Sequence, residues 1–503
     1  MFDGINNMNS TCSYGPDGVP SYLLKACVCT LSRPLLHLFS LSLKTGVFPD
    51  YWKTSFITPI FKAGNRADIQ NYRGVSICSA IPKLFDSLVC NVLAAACKHF
   101  IIPEQHGFAQ GKSTTTNLLV YENYLLNALE NRLQVDSIYT DFSKAFDKVS
   151  HKMLVAKLGA LGFGDIVVAW FASFLKDRFQ FVRINNVLSV EIRVASGVPQ
   201  GSHCAPLLFS LFINDIGNAI VNSEFLLFAD DLKLFRRVSE PSDCILIQDD
   251  LDRLSVWCQV NGLQLNIDKC FSITFSRKAE PITNIYVLND QTLTIKCSIK
   301  DLGVILDSKL NFQEHYIRVV NRAARMLGLV TRNSADLSLN SLKLLYCSLV
   351  RSTLEYASVV WSPYHQVHIA ALEGVQKKFL RIVAWRFDID VHTDAQNPYY
   401  INYEPVLNRL AVHTLESRRA QSSICFLYKL LMGSINCDHL LSSINFSTTR
   451  RTRNNELFYI PTNSTNYAMH NPLTRMCRLY NEYDLDPFKF KFYQFKKHIS
   501  RII

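Results

Sequence analysis

A chain of 503 residues with a formal charge of +11, 48% hydrophobic and 19% charged residues exceeds one compact core and is too apolar to stay disordered. Its basic excess suits an anionic partner such as nucleic acid or a phospholipid surface. Fifteen scattered cysteines without a Cys-x-x-Cys exclude a disulfide framework and a zinc knuckle.

The start, Met1 to Asn7, lacks a secretory pattern, and apolar runs such as 35–43 and 88–102 break before about 18 residues. An intracellular protein of nucleus or cytoplasm, with no membrane partner, is expected. Residues 1–56 read as a helical lead-in, with a turn at Gly15-Pro16-Asp17-Gly18 and an apolar helical pattern from Tyr22 to Leu43. From Ile57 to about Asp307 strand-like and helical runs alternate, as in an α+β region.

Within that region, Gly107 to Ser113 has the look of a phosphate-binding loop, but three residues separate its glycines where four are needed. Ser137 to Phe142 reads as a buried strand ending in Asp141. Ser143 can cap a following helix that lines up Phe146, Val149, Leu154, Leu158 and Leu161. Glu224 to Phe235 reads as a hairpin with Asp230 and Asp231 at its turn. Downstream of Asn311 the spacing is helical. There Arg318, Arg322 and Arg325 share one helix face, and Lys377 with Arg381 repeats the spacing. These stripes suit either nucleic-acid phosphates or a solvated surface. The tail from Thr448, with Asp486 to Tyr493 interleaving Lys, Phe and Tyr, is open to the same two readings.

Two carboxylates about 4 Å apart repel by about 4 kcal/mol at an effective dielectric near 20, and Asp141 would add to the strain between Asp230 and Asp231. A divalent cation removes that conflict. Mg²⁺ takes oxygen ligands from a few carboxylates together with substrate phosphates, so such a cluster suits two-metal phosphoryl transfer.

The motifs resemble, in order, those of reverse transcriptases from non-long-terminal-repeat retrotransposons, most closely the jockey-like elements of animals. Tyr139-Thr140-Asp141-Phe142-Ser143-Lys144-Ala145-Phe146-Asp147, Ser196-Gly197-Val198-Pro199-Gln200-Gly201-Ser202 and Phe228-Ala229-Asp230-Asp231 look like the three palm motifs. Ile57 to Lys62, Asn71-Tyr72-Arg73 and His106-Gly107-Phe108 are similar to the preceding blocks. Leu263 to Cys270 and Leu302 to Asp307 are similar to the following ones. The pair Asp141 and Asp147 also suits a viral RNA-dependent RNA polymerase; Phe146 and Ala229 favour a deoxynucleotide enzyme.

The resemblance implies an α+β right-hand polymerase: fingers and palm with an antiparallel sheet at 57–306, a helical thumb at 307–390 and a basic helical C-terminal region at 391–503. It implies an RNA-directed DNA polymerase that extends a DNA primer on an RNA template with dNTPs. Two Mg²⁺ ions, with Mn²⁺ as substitute, would be held by Asp141, Asp230 and Asp231. Lys62 and Arg73 would meet the triphosphate, Gln200 and Phe142 the nucleotide, and Phe146 the sugar, excluding a 2′ hydroxyl. Lys269 would protonate the pyrophosphate. Arg318, Arg322, Arg325, Lys377 and Arg381 would hold primer and template. Priming at a nicked chromosomal target is implied as well, with the endonuclease expected from a missing segment or another protein. The alternative is a catalytically silent nucleic-acid-binding remnant or domesticated protein.

Overall fold

The computed structural model describes residues 1–185, 187–393, 401–447, 456–462 and 465–503. Helices α1 (Phe2–Asn6), α2 (Ser21–Ala26) and α3 (Val28–Thr45) lead into a hairpin of β1 (Thr54–Phe61) and β2 (Tyr72–Cys78). Then come α4 (Ala80–Cys97) and α5 (Thr114–Glu130). Ser113 and Thr116 form a reciprocal capping box at the start of α5, an arrangement that contributes about 1 kcal/mol. Strand β3 (Gln134–Thr140) is followed by α6 (Ala145–Lys148), α7 (His151–Ala160) and α8 (Asp165–Leu175). Next are β4 (Arg178–Ile184), β5 (Val187–Leu188), β6 (Ile192–Val194) and α9 (Cys204–Ile213). The hairpin of β7 (Glu224–Phe228) and β8 (Asp231–Val238) precedes α10 (Pro241–Asn261) and β9 (Phe271–Phe275).

Short strands follow: β10 (Val287–Leu288), β11 (Gln291–Thr292), β12 (Thr294–Ile295), β13 (Ser298–Asp301) and β14 (Val304–Asp307). The rest is mainly helical. Helix α11 (Gln313–Arg332) is followed by α12 (Leu339–Leu345), which runs through a π-helical stretch at Tyr346–Arg351 into α13 (Ser352–Glu355). Helices α14 (Ser358–Trp361) and α15 (Gln366–Arg386) precede a small pair, β15 (His392–Thr393) and β16 (Ile401–Asn402). The chain closes with α16 (Glu404–Leu410), α17 (Leu415–Leu431), α18 (Asp438–Leu441), α19 (Asn466–Met469), α20 (Pro472–Glu482) and α21 (Phe492–Ile502).

Both large sheets are mixed, which corrects the expectation of an antiparallel sheet. One runs β2-β1-β4-β5 with β6 also on β4, and the other β12-β9-β3-β8-β7. β1 pairs with β4 in parallel, and so does β12 with β9; long connections between these partners allow the chain to return in the same direction. In the second sheet β3 is central, antiparallel to β8 and β9. Because side chains alternate across a strand, the sheet feeds two cores. Val135, Phe235 and Phe275 join α5 and the helices after residue 312, whereas Ile138, Leu232 and Leu234 join α9, α10 and the N-terminal helices.

Two other expectations change. The helix expected after Asp141 is broken in two, because the Val149 carbonyl accepts from Gly197 N–H at 2.8 Å, and Ser150 rather than Ser143 caps the second piece. Helix α4 is long and apolar enough to cross a membrane by length and composition, where no such segment was expected. A third of it is buried in the fold, and its Asp86 carboxylate accepts from the backbone N–H groups of His203 and Cys204. The aromatic stretch Asp486 to Tyr493 lies mostly in turns ahead of α21, with Phe488 and Tyr493 exposed, while α21 buries Phe495 and Ile499 and Phe495 stacks on Tyr428 with ring centroids 4.4 Å apart. Basic residues at 448–455 lie outside the described residues. All fifteen cysteines are free, and three are exposed.

Candidate active site

Asp141 follows the last residue of β3. The register places Thr140 opposite Leu232, which carries Asp141 to the level of Asp231 on the adjacent strand. Asp231 pairs with Phe228 across a two-residue turn of Ala229 and Asp230, as the hairpin reading expects. A rigid sheet thus presents three carboxylates at one end of its strands. Electrostatics show that they feel one another: Asp230 and Asp231 both have raised pKa values, chiefly from burial, with Asp141 adding to each. Asp231 is pushed up to about 6, with Asp230 the largest charged contributor. Its carboxylate still opens to solvent.

The turn has an unusual backbone, and a neighbouring segment holds it. Ala229 adopts φ 57°, which a non-glycine residue rarely does without compensation. Its N–H donates to Gln105 Oε1 at 2.9 Å, and its carbonyl accepts from Gln105 Nε2 at 3.3 Å. His106 N–H and Asn117 Nδ2 both donate to the Leu227 carbonyl. Gly107 is required by this close approach: a Cβ there would come within 2.1 Å of Ala229 N. The Gly107 to Ser113 stretch therefore serves the carboxylate turn through backbone packing.

Cations face the acids from two sides. Lys62 and Arg73, on the first sheet's hairpin, act electrostatically on Asp230 and favour its ionised form. Lys269 Nζ lies 3.2 Å from Asp141 Oδ2. Arg73 Nε donates to Gln200 Oε1 at 3.3 Å, so Gln200 joins the same site. Phe146 is half-buried, stacked on Phe209 with centroids 4.3 Å apart and edge-on to Phe108, so it sits at the margin of the core. Phe142 is not brought to the site, since its ring is buried in the core.

A cavity of about 360 Å³ is lined by Asp141, Asp231, Lys269, Lys296, Lys300 and neighbouring side chains. Lys300 also lines an adjacent groove of about 540 Å³, where Arg318, Arg322 and Arg325 of α11 converge. The carboxylates and the arginine face are thus linked through one lysine. Lys377 and Arg381 do not line that groove; they are exposed on α15, where Arg381 Nε donates to the Tyr403 hydroxyl at 3.2 Å.

The donor set fits a hard divalent cation, being carboxylate oxygens that raise one another's pKa. Among the described residues, however, no three His, Cys, Asp or Glu side chains stand close enough together to hold a metal. Lys269, paired with Asp141, offsets part of the charge of the acids.

Sequence reasoning missed a buried pair behind the site. Lys233 bonds Asp301, which also accepts from the Tyr139 hydroxyl at 3.1 Å, and the ammonium sits 4.3 Å from the Tyr121 ring centroid. Alternation along β8 puts Lys233 on the Asp231 face and could have flagged it. Nothing local points to Asp301. Gln105 was passed over although it adjoins the His106-Gly107-Phe108 block.

Residues 60–326 match the family model described as "Reverse transcriptase (RNA-dependent DNA polymerase)". The chain belongs to the reverse transcriptase family. It is 27% identical over 434 residues to the "Probable RNA-directed DNA polymerase from transposon BS" of Drosophila melanogaster, covering 83% of this chain and 46% of that protein. It is 29% identical over 370 residues to the "RNA-directed DNA polymerase from mobile element jockey" of the same species, covering 70% and 40%. A solved structure of apo telomerase from Candida Tropicalis, truncated from its C-terminal domain, aligns at 12% identity with a TM-score of 0.36. It covers 53% of this chain and 55% of that one, and is too distant to bear on the fold.

The non-long-terminal-repeat resemblance read from the motifs is the one these relatives carry. The chain spans about half the length of the curated relatives it matches. The matched residues include Lys62, Arg73, the three aspartates and α11 as far as Arg325, while Lys377 and Arg381 lie beyond them.

Proposed function

We propose that this chain is an RNA-directed DNA polymerase that extends a DNA primer on an RNA template with dNTPs by two-metal phosphoryl transfer. The observation that carries it is the strand register that brings Asp141, Asp230 and Asp231 to the same end of the sheet, with Lys62 and Arg73 acting on Asp230. In this reading the β1–β2 sheet forms the fingers, the β3–β8 sheet the palm, and α11 to α15 a helical thumb. Arg73 would grip phosphate oxygens with its planar fork and Lys62 would add charge. Phe146 would crowd the sugar, and the Arg318, Arg322 and Arg325 groove would track primer and template phosphates. Lys377 and Arg381 would extend that contact beyond the groove.

Asp141, Asp230 and Asp231 would hold two Mg²⁺ ions, or Mn²⁺ in their place. When bound, the ions supply Lewis-acid activation of the 3′ hydroxyl and charge neutralisation at the triphosphate. Lys269, beside Asp141, would hold a proton for the departing pyrophosphate. The primer would be a nicked chromosomal end, cut by an endonuclease from a missing segment or another protein, and the chain itself would reside in nucleus or cytoplasm.

The test is incorporation on a heteropolymeric RNA template with an annealed DNA primer, dNTPs and Mg²⁺. The expected product is DNA complementary to the template, lost when the template is omitted. No template-directed product would leave the second reading, a silent nucleic-acid-binding remnant.

A further inference from the structure

Asp147 has no role in the site as described so far, yet it touches one of its members. Its Oδ1 accepts from Gln200 Nε2 at 2.7 Å, while Gln200 Oε1 accepts from Arg73 Nε at 3.3 Å. The two bonds use opposite ends of one amide. An ionised carboxylate can only accept, so Asp147 holds the NH₂ end toward itself and turns the oxygen toward Arg73. If the amide rotated about its last bond, which is soft in glutamine, its NH₂ would face the guanidinium, donor against donor.

The surrounding backbone keeps these three side chains together. Val198 N–H donates to the Phe146 carbonyl at 2.9 Å, and Ser196 Oγ donates to the Asp147 carbonyl at 2.9 Å. Gly197, at φ 88°, packs so tightly here that a Cβ would come within 2.7 Å of the Asp147 carbonyl oxygen. On the other side, the Gln200 carbonyl accepts from Ser76 N–H at 2.8 Å on β2, the strand that carries Arg73. Three separate segments therefore meet at one amide. Gln200 engages only the Nε of Arg73, leaving the terminal nitrogens of the fork for phosphate oxygens.

We propose that Asp147 is a positioning residue for the incoming nucleotide: it fixes the Gln200 amide, and through it aims the Arg73 guanidinium at the triphosphate. This inference rests on the polymerase reading above. Asp147→Asn tests it with little change of shape, because an asparagine amide both donates and accepts and so permits either orientation of Gln200.

The experiment is steady-state primer extension by the full chain, with dNTP KM and kcat measured for wild type, Asp147→Asn, Gln200→Ala and the double variant. Asp147→Asn is expected to raise KM about tenfold, the worth of one charge-assisted hydrogen bond, and to change kcat less than about twofold. In the Gln200→Ala background it should add less than about twofold, since a residue acting through Gln200 has nothing left to orient. Asp147→Glu, which keeps an acceptor-only group, should recover most of the affinity. Effects of Asp147→Asn and Gln200→Ala that multiply would overturn the inference while leaving the polymerase reading intact. So would an unchanged KM, or a fall in kcat alone. Wild type that incorporates nothing would overturn both.

Discussion

Glu122 of α5 is buried with Oε2 lacking a hydrogen-bond partner, and burial pushes its carboxyl up to about 8 against the pull of Arg475 from α20. In the unfolded chain it would ionise near 4.5. Between those values the unfolded state has released a proton that the native state keeps, so rising pH costs stability, on the order of 1 kcal/mol per unit. Melting temperature should therefore fall from pH 5 to 8, and Glu122→Gln should flatten that slope; an identical slope in the variant would be inconsistent with the assignment. Phe146 carries a second expectation. Because it stacks on Phe209 yet remains half-buried, Phe146→Val should admit ribonucleotides, and unchanged discrimination would place the ring in the core alone. At this scale the carboxylates, Lys62, Arg73, Gln200 and Lys269 were legible as members of motifs. The burial of the Phe142 ring was not legible, because the motif names the residue next to Asp141 without saying which way its side chain turns. Asp301 was invisible: its partner Lys233 is far away in sequence, and only the folded sheet brings them together.

The element that decides the site is the two-residue turn between β7 and β8, and its support comes from the segment before α5. That hairpin could be read from two apolar runs flanking the acids, since strand period and turn are local signals. Its buttress could not, because Gln105 and Gly107 act across the sheet through backbone contact. Gly107→Ala should displace the turn, costing about 1–3 kcal/mol of stability and most of the activity, measured by denaturant unfolding and primer extension. Full activity in that variant would mean the turn tolerates the shift. The mixed pairing of both sheets was equally hidden, since parallel neighbours are set by crossovers rather than by the strands' own pattern. The break between α6 and α7 has the same origin, a bond from Gly197 that no periodicity records.

Across the whole molecule, α5 is the link between the carboxylate sheet and the helices after residue 312. Tyr467 donates to the Leu129 carbonyl at 3.0 Å, and Asn471 donates to Asn123 at 3.2 Å. The α+β body and later helical part could be read from the change in periodicity, but their shared core could not, since it depends on which helix faces meet. The groove along α11 predicts salt-dependent binding: contacts to about six phosphates give a log-log slope near −5 on duplex. Replacing Arg318, Arg322 and Arg325 with Ala should reduce that slope by about three, and an unchanged slope would move the nucleic acid elsewhere. The central claim is that Asp141, Asp230 and Asp231 form a polymerase centre. Its most direct test is primer extension on poly(rA)/oligo(dT) with Mg²⁺, comparing wild type with Asp230→Asn at matched folding by circular dichroism. The expected result is templated dTMP incorporation by wild type and its loss in the folded variant; incorporation that survives Asp230→Asn would contradict it.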